Sequence, residues 1–149
     1  MISLMHNDPD HIDPDINLFG DRHVPCKYYT LEEYNSFYQN NLDFSLLNYN
    51  VRSFHSDRLN FDSMLYSLPK KFDLIVLTET WNTSLNVDMC FIEGYNSFHT
   101  IRGTGGGGVS IFSLNSQNVT KIDQLSWCTE ALETCVVKVQ INAKVLFIV

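Results

Sequence analysis

The feature that most constrains the fold is a short, unbroken apolar run at residues 73–78, DLIVLT. Such a run is typical of a strand that is covered on both faces. An apolar, aromatic-rich segment at 44–50 predicts a strand before it. Between the two, residues 56–68 favour a helix, with Ser56 as its N-cap and Pro69 ending it. Strand, helix and buried strand form one crossover unit, which predicts an α/β fold.

The second half of the chain has a different character. Residues 109–112 predict a strand, and residues 132–141 and 144–149 predict two strands joined at Asn142 as a hairpin. The stretch at 91–101 is aromatic and irregular. This half is therefore expected to be largely antiparallel, and a mixed sheet with helices on one or both faces fits the order of elements. The last predicted strand is apolar up to its final residue, so we expect a C-terminally truncated fragment of a longer reading frame, or a degenerate copy.

The N-terminal part is expected to lie outside the folded domain. Residues 1–25 mix proline with acids and offer no periodic apolar face, so they are predicted to form a disordered acidic arm. Residues 26–42 are a lead-in segment with a short helix, in which Thr30 and Glu33 make a capping box. The domain itself is assigned to residues 43–149.

The charge of the chain restricts its partners. The net charge is −7 and the isoelectric point is about 5.0, which argues against sequence-independent nucleic-acid binding through Lys and Arg at phosphates. Residues 1–40 carry a net charge of −5 and residues 41–149 only −2, so the domain has room for a local basic site. No apolar run reaches the roughly 18 residues that a membrane helix needs, and the N-terminus does not resemble a signal peptide. We therefore expect an intracellular protein, nuclear or cytoplasmic, with no membrane association.

Two polar residues come at the ends of the predicted strands of the crossover unit. Asn50 closes the first strand, and Glu79 follows the second. If these strands lie side by side, both residues emerge at the edge where ligands of α/β sheets bind. A carboxylate there suits Mg²⁺, which takes one or two carboxylates together with waters and phosphate oxygens. By pattern alone, the simpler interpretation is that Glu79 caps a turn.

Two further features are assigned structural roles. The glycine run at 105–108 is not followed by GKS or GKT, so it is expected to form a turn or a close backbone contact rather than a phosphate loop. Trp81 and Trp127 are expected to be packing residues.

Four segments together resemble a known superfamily. In chain order they are LLNYNVRSF (46–54), FDLIVLTETW (72–81), FIEGYNSF (91–98) and RGTGGGGVSIF (102–112). Their order and spacing resemble the endonuclease/exonuclease/phosphatase superfamily. More closely, they resemble the apurinic-type endonuclease domain of non-LTR, LINE-type, jockey-like retrotransposon polyproteins. The resemblance covers residues 26–149.

The resemblance implies both a fold and a chemistry. The fold is a four-layered α/β sandwich of the DNase I-like type, and the reaction is metal-dependent hydrolysis of a phosphodiester bond in DNA. The resemblance implies one divalent ion, Mg²⁺ or Mn²⁺, bound by Glu79, with Asn50 beside it in the phosphate pocket. Arg52 and Arg102 are the candidates for contacts with a DNA phosphate, and an ion pair within the protein is the alternative for Arg102.

The departures from the family pattern limit what this chain is expected to do. The Tyr, Gly-Asp-x-Asn and Ser-Asp-His motifs that supply the water-activating half of the family's site are not in this sequence. Losing a general base alone costs roughly 10²–10⁴ in rate, so we expect this chain to be inactive alone and to bind nucleic acid weakly or not at all. Two alternatives stay open: a non-enzymatic remnant or partner-binding module, and another phosphodiesterase or phosphatase of the same superfamily.

Overall fold

The computed structural model describes residues 30–38, 44–103 and 106–149. The chain divides into two units, Met1–Asn41 and Leu42–Val149, and each is described by itself. The predicted acidic arm at 1–25 lies outside the described residues. Neither described α-helix has the length and apolar character that crossing a membrane requires.

The described part of the first unit is one short helix, α1 (Leu31–Tyr38). The predicted capping box is present at its start. The Thr30 backbone N–H donates to Glu33 Oε2 at 2.7 Å, and the Glu33 N–H donates to Thr30 Oγ1 at 3.2 Å. Two backbone donors that the helix would otherwise leave unpaired are thereby satisfied.

The described residues of the second unit form two larger sheets, one α-helix and two short 3-10 helices, Val87–Met89 and Asp123–Leu125. Its α-helix and strands, in chain order, are β1 (Leu46–Asn50), α2 (Phe54–Ser67), β2 (Leu74–Thr78), β3 (Tyr95–Thr100), β4 (Val109–Leu114), β5 (Asn118–Lys121), β6 (Trp127–Cys128), β7 (Glu133–Thr134), β8 (Val137–Ile141) and β9 (Lys144–Ile148). The four-stranded sheet has the order β1-β2-β4-β3, and the three-stranded sheet has the order β5-β8-β9. Strands β6 and β7 form a small separate ribbon.

The predicted crossover unit is confirmed. Strands β1 and β2 are parallel neighbours and α2 connects them. The predicted start of the helix is wrong, because α2 begins at Phe54 with Ser53 as its N-cap, and the Ser53 hydroxyl accepts from the Ser56 backbone N–H. Phe54 and Phe61 of α2 are fully buried, whereas Leu59 is 82% exposed.

Two strand predictions need correction. The stretch predicted as irregular contains β3, which pairs with β4 along its whole length. Its sequence does not reveal a strand because β3 is a sheet edge whose central residues, Asn96 and Ser97, are exposed. The predicted strand at 132–141 is interrupted at Cys135 and Val136, which are buried, and so forms β7 and β8 instead.

The two sheets pack face to face around one core. The four-stranded sheet contributes Leu74, Val76 and Ile111 to this core, and the chain from Cys135 onward contributes Cys135, Val137 and Val139. Because side chains alternate along a strand, the neighbouring residues of β2 and β4 point to the opposite face. There Phe112 stacks on Phe54 of α2, with ring centroids 6.2 Å apart.

These contacts make an α/β fold in which a helix, a mixed sheet and a second sheet lie in successive layers. The predicted fold class is therefore confirmed. The described residues supply three of the four layers of the predicted sandwich, and they include no helix on the outer face of the three-stranded sheet.

One carboxylate fixes the beginnings of β1 and β2 against each other. Asp73 Oδ2 accepts from both the backbone N–H and the hydroxyl of Ser45, at 2.8 and 2.7 Å. Its other oxygen accepts from the Gln117 side chain at 2.7 Å. Since these bonds set the alignment of the two parallel strands, they also set which residues meet at the far ends of those strands.

We expect Asp73→Ala to lower the free energy of unfolding by about 2 kcal/mol, because three hydrogen bonds to a charged acceptor are lost. Urea denaturation measures the difference. Asp88→Ala, which removes an exposed carboxylate, serves as the control. Equal stability of the two variants would contradict the role given to Asp73.

Candidate metal site

The candidate site is built on the ends of the two parallel strands. Asn50 is the last residue of β1, and its partner in the register is Thr78, the last residue of β2. The pairing continues past the strand ends, since the Ser53 N–H donates to the Glu79 carbonyl at 2.8 Å. The structure thus brings Asn50 and Glu79 together at one edge of the sheet.

The backbone at this edge is strained. Five described non-glycine residues have a positive φ, and four of them lie here: Arg52 at 43°, Ser53 at 82°, Glu79 at 55° and Trp81 at 54°. Each such conformation costs on the order of 1–2 kcal/mol for a residue with a Cβ. Concentrated strain of this kind is characteristic of functional sites, where neighbouring contacts hold the backbone in place.

The carboxylate of Glu79 is held by two donors. Its Oε2 accepts from the Trp81 indole N–H at 2.9 Å and from the Gly107 backbone N–H at 3.1 Å. The indole bond, then the amide bond, and then the positive charges of Arg102 and Arg52 keep the pKa of Glu79 below its ordinary value of 4.5. The carboxylate is therefore ionised at neutral pH. Within the described residues its second oxygen, Oε1, has no hydrogen-bond partner.

A glycine segment lies directly against the residues that follow β2. The Trp81 N–H donates to the Gly107 carbonyl at 2.9 Å, and the Thr80 N–H donates to the Gly108 carbonyl at 3.2 Å. Both glycines have a positive φ, of 72° and 86°. A Cβ on Gly108 would stand 2.7 Å from the Thr80 hydroxyl. The predicted close backbone contact of the glycine run is thus found at Gly107 and Gly108.

The two candidate phosphate-binding arginines lie in different surroundings. Arg52 is exposed in the turn after β1. Arg102 makes an ion pair with Glu133, at 3.4 Å from Nε to Oε1, and donates from Nη2 to the Glu130 carbonyl at 3.3 Å. The structure therefore shows the alternative that was given for Arg102, an ion pair within the protein.

A buried polar cluster anchors the chain just after the site. The Asn82 amide donates to Ser110 Oγ at 3.4 Å, and Ser110 Oγ lies 2.8 Å from His99 Nδ1. The Ser110 hydroxyl can both accept and donate, and the tautomer of the His99 ring decides which of the two atoms donates in this contact. Cys90 Sγ, 3.9 Å from the same oxygen, completes the cluster.

Sequence reasoning missed the roles of two residues of this site, Trp81 and Glu133. Trp81 was expected to pack, but it is 45% exposed and its N–H binds Glu79. Trp127, also expected to pack, is 55% exposed. Glu133 was not considered at all, although its carboxylate contacts both Arg102 and the Gly108 N–H. No local pattern marks Glu133, because its partners are far away in sequence.

The donor set fits a hard divalent cation. One ionised carboxylate oxygen and a neighbouring amide side chain match the sparse protein ligation of Mg²⁺, which keeps several of its waters. The described residues include no group of three or more His, Cys, Asp or Glu side chains that could enclose an ion. A cation here would therefore remain largely hydrated and open to a phosphate oxygen.

The glycine segment gives a matched pair of substitutions. A Cβ at Gly107 would collide with the Glu133 carboxylate, whereas a Cβ at Gly106 would meet nothing within 4 Å, and both residues have a positive φ. We expect Gly107→Ala to be less stable than Gly106→Ala by about 1–2 kcal/mol in urea denaturation, because only the first adds a steric clash. Equal losses would show that Glu133 does not pack against Gly107.

The buried cluster makes the stability of the folded chain depend on pH. Burial, and next the charge of Lys121, lower the pKa of His99 below 6.5, while Asp88 opposes the shift. The unfolded chain binds this proton near pH 6.5 but the folded chain only at lower pH, so stability should fall as the pH drops below 6.5. His99→Gln, which does not titrate, should show a smaller fall between pH 7.5 and 5.5. Parallel stability curves for the two proteins would contradict this.

Comparisons with known proteins find similarity among solved structures only. No family model and no curated protein matches the chain. A 3′ phosphatase, NExo, from Neisseria bound to a product DNA hairpin is 16% identical over 70% of this chain and 40% of its own, with a TM-score of 0.45. The catalytic domain of Xenopus laevis APE2 is 21% identical over 69% and 42% of the two chains, with a TM-score of 0.47. An AP endonuclease, LMAP, from Leishmania major is 13% identical over 70% and 38%, with a TM-score of 0.48. The chain spans about two fifths of the length of these proteins.

Proposed function

We propose that this chain carries the metal-binding part of a phosphodiesterase site of the DNA endonuclease type. The observation that supports this most strongly is the placement of Asn50 at the end of β1 and of Glu79 directly after the adjacent parallel strand β2, with the Glu79 carboxylate ionised and oriented. Strand ends of this kind are where α/β sheets bind their ligands.

Each residue has a defined task in this proposal. Glu79 binds one divalent ion, Mg²⁺ or Mn²⁺, through Oε1, because Oε2 is engaged by Trp81 and Gly107. Asn50 holds a phosphate oxygen or a water of the ion. When bound, the ion would polarise a phosphoryl oxygen and stabilise the departing oxygen.

The two arginines would contact the phosphate backbone of DNA. The positive charges of both help to keep the pKa of Glu79 below its ordinary value. Arg52 is exposed and can reach a phosphate directly. Arg102 would have to exchange its ion pair with Glu133 for a phosphate, and at 3.4 Å this pair is a loose one. The negative net charge of the chain keeps DNA affinity low and sensitive to salt.

The four sequence segments support a particular origin. The Asn-x-Arg-Ser and Thr-Glu-Thr-Trp strand ends, followed by Gly-Tyr and by Arg with a glycine run, favour a retrotransposon polyprotein of the LINE type over a lipid phosphodiesterase. In such a protein, nicking of the target DNA supplies the 3′ hydroxyl that primes reverse transcription.

We further propose that the chain as given does not cut DNA. Catalysis needs a base that activates water, and neither described histidine is placed for this: His99 bonds Ser110, and His55 Nε2 is buried without a hydrogen-bond partner among the described residues. Neither ring is bonded to Glu79 or Asn50.

The proposal predicts saturable binding of Mn²⁺ at Glu79. Binding should broaden the indole N–H resonance of Trp81, which is bonded to Glu79, more strongly than that of Trp127. Glu79→Ala should abolish the effect, because the ligand is removed. Glu93→Ala, which removes an exposed carboxylate before β3, should not change it. Equal broadening in wild type and Glu79→Ala would overturn the metal site.

A nicking assay on supercoiled plasmid with Mg²⁺ tests the proposed inactivity. We expect no conversion to open circles above the Glu79→Ala background. Nicking that EDTA removes and Glu79→Ala abolishes would show that the chain is an active enzyme by itself. If the wild-type chain neither binds Mn²⁺ nor nicks the plasmid, the result would favour a non-enzymatic module.

A further inference from the structure

Two consecutive backbone amides of the glycine segment donate to two different carboxylates. The Gly107 N–H donates to Glu79 Oε2 at 3.1 Å, and the Gly108 N–H donates to Glu133 Oε2 at 2.6 Å. The peptide planes that carry these two amides share the Cα of Gly107, so the φ and ψ of Gly107 set the direction of one amide relative to the other. The two carboxylates therefore bind neighbouring amides of one backbone segment.

Glu133 is fixed from several directions. It is the first residue of β7, and its side chain is only 18% exposed. One oxygen binds Gly108, the other faces Arg102 at 3.4 Å, and the carboxylate packs where a Cβ of Gly107 would lie. A charge-assisted bond of 2.6 Å to a backbone amide is stronger than an exposed ion pair, which contributes about 0–1 kcal/mol.

We propose that Glu133 is a positioning residue for Glu79: it fixes the Gly108 amide, so that the preceding Gly107 amide points at Glu79 Oε2 and the opposite oxygen stays available to a divalent cation. The same carboxylate keeps Arg102 beside the site. The inference rests on the proposed function for its metal-binding consequence only, because the contacts among Glu133, Gly108 and Gly107 exist without an ion.

Glu133 is not itself a second metal ligand in this arrangement. Its Oε2 accepts from the Gly108 N–H, and its Oε1, which is buried and has no hydrogen-bond partner among the described residues, faces the Arg102 Nε at 3.4 Å. A ligand role for Oε1 would need Arg102 to be displaced from it. Its chemistry is that of a residue that orients a ligand, and residues of this kind typically change metal affinity by about 10–100-fold when they are removed.

The first arm of the test uses the metal-free protein. Amide hydrogen exchange at Gly107 and Gly108 is compared in wild type, Glu133→Ala, Glu133→Gln and Glu130→Ala. Glu133→Ala should speed exchange at both glycines by at least about 10-fold, because the acceptor that orders them is gone. Glu133→Gln keeps an acceptor oxygen and should fall in between. Glu130→Ala removes an exposed carboxylate of the same hairpin but keeps the carbonyl that binds Arg102, so exchange should stay as in wild type.

The second arm is Mn²⁺ titration followed through the Trp81 indole resonance. Glu133→Ala should raise the Kd about 10-fold, Glu133→Gln less, and Glu130→Ala not detectably. If Glu133→Ala does not fold, the comparison of Glu133→Gln with Glu130→Ala decides both arms of the test. Glu133→Gln should then show the faster amide exchange and the higher Kd for Mn²⁺. The proposal would be overturned if the amide exchange rates and the Kd for Mn²⁺ of the Glu133 variants equalled those of Glu130→Ala.

The two arms separate this inference from the proposed function. If wild type binds no Mn²⁺ while Glu133→Ala still exposes Gly107 to exchange, the metal site fails and the positioning of the glycine segment stands. If wild type binds Mn²⁺ at Glu79 and Glu133→Ala binds it equally well, the metal site stands and the positioning role fails.

Discussion

The parallel pairing of β1 with β2 is the constraint on which the rest of the site depends. Asp73 and Ser45 set the alignment at one end of the pair, and the register then places Asn50 opposite Thr78 at the other. A slip by one residue would turn every side chain of β1 to the opposite face and remove Asn50 from Glu79. The chemistry proposed for this edge is therefore decided by a hydrogen-bonded contact at the far end of the strands.

Around this edge the chain adopts strained conformations that other contacts hold in place. Glu79 and Trp81 both have a positive φ, and the carbonyls of Gly107 and Gly108 bind the backbone of the turn that contains them. Glycine is needed at these two positions because a side chain would strike Glu133 or Thr80. The end of β2, the turn that follows it, the glycine segment and Glu133 thus together orient one carboxylate, that of Glu79.

The sequence was sufficient for the central part of the fold. The apolar run of β2, the helix before it and the strand ends that carry Asn50 and Glu79 follow from periodicity and from the rule that α/β sheets bind ligands at strand ends. It was insufficient for β3, an edge strand with exposed polar residues, and for the start of α2, where Ser53 and not the predicted Ser56 is the N-cap and is held by a bond from its N–H to the distant Glu79 carbonyl. It also could not reveal Glu133 or the role of Trp81. The first depends on a contact between distant parts of the chain, and the second on a left-handed turn that allows an indole to reach back two residues.

Anomalous diffraction from crystals of this chain soaked in Mn²⁺ would show whether Asn50 and Glu79 form one cation site. We expect one peak within direct coordination distance of Glu79 Oε1, with Asn50 in contact with the ion itself or with one of its waters. A peak elsewhere on the molecule, with none at Glu79, would contradict it.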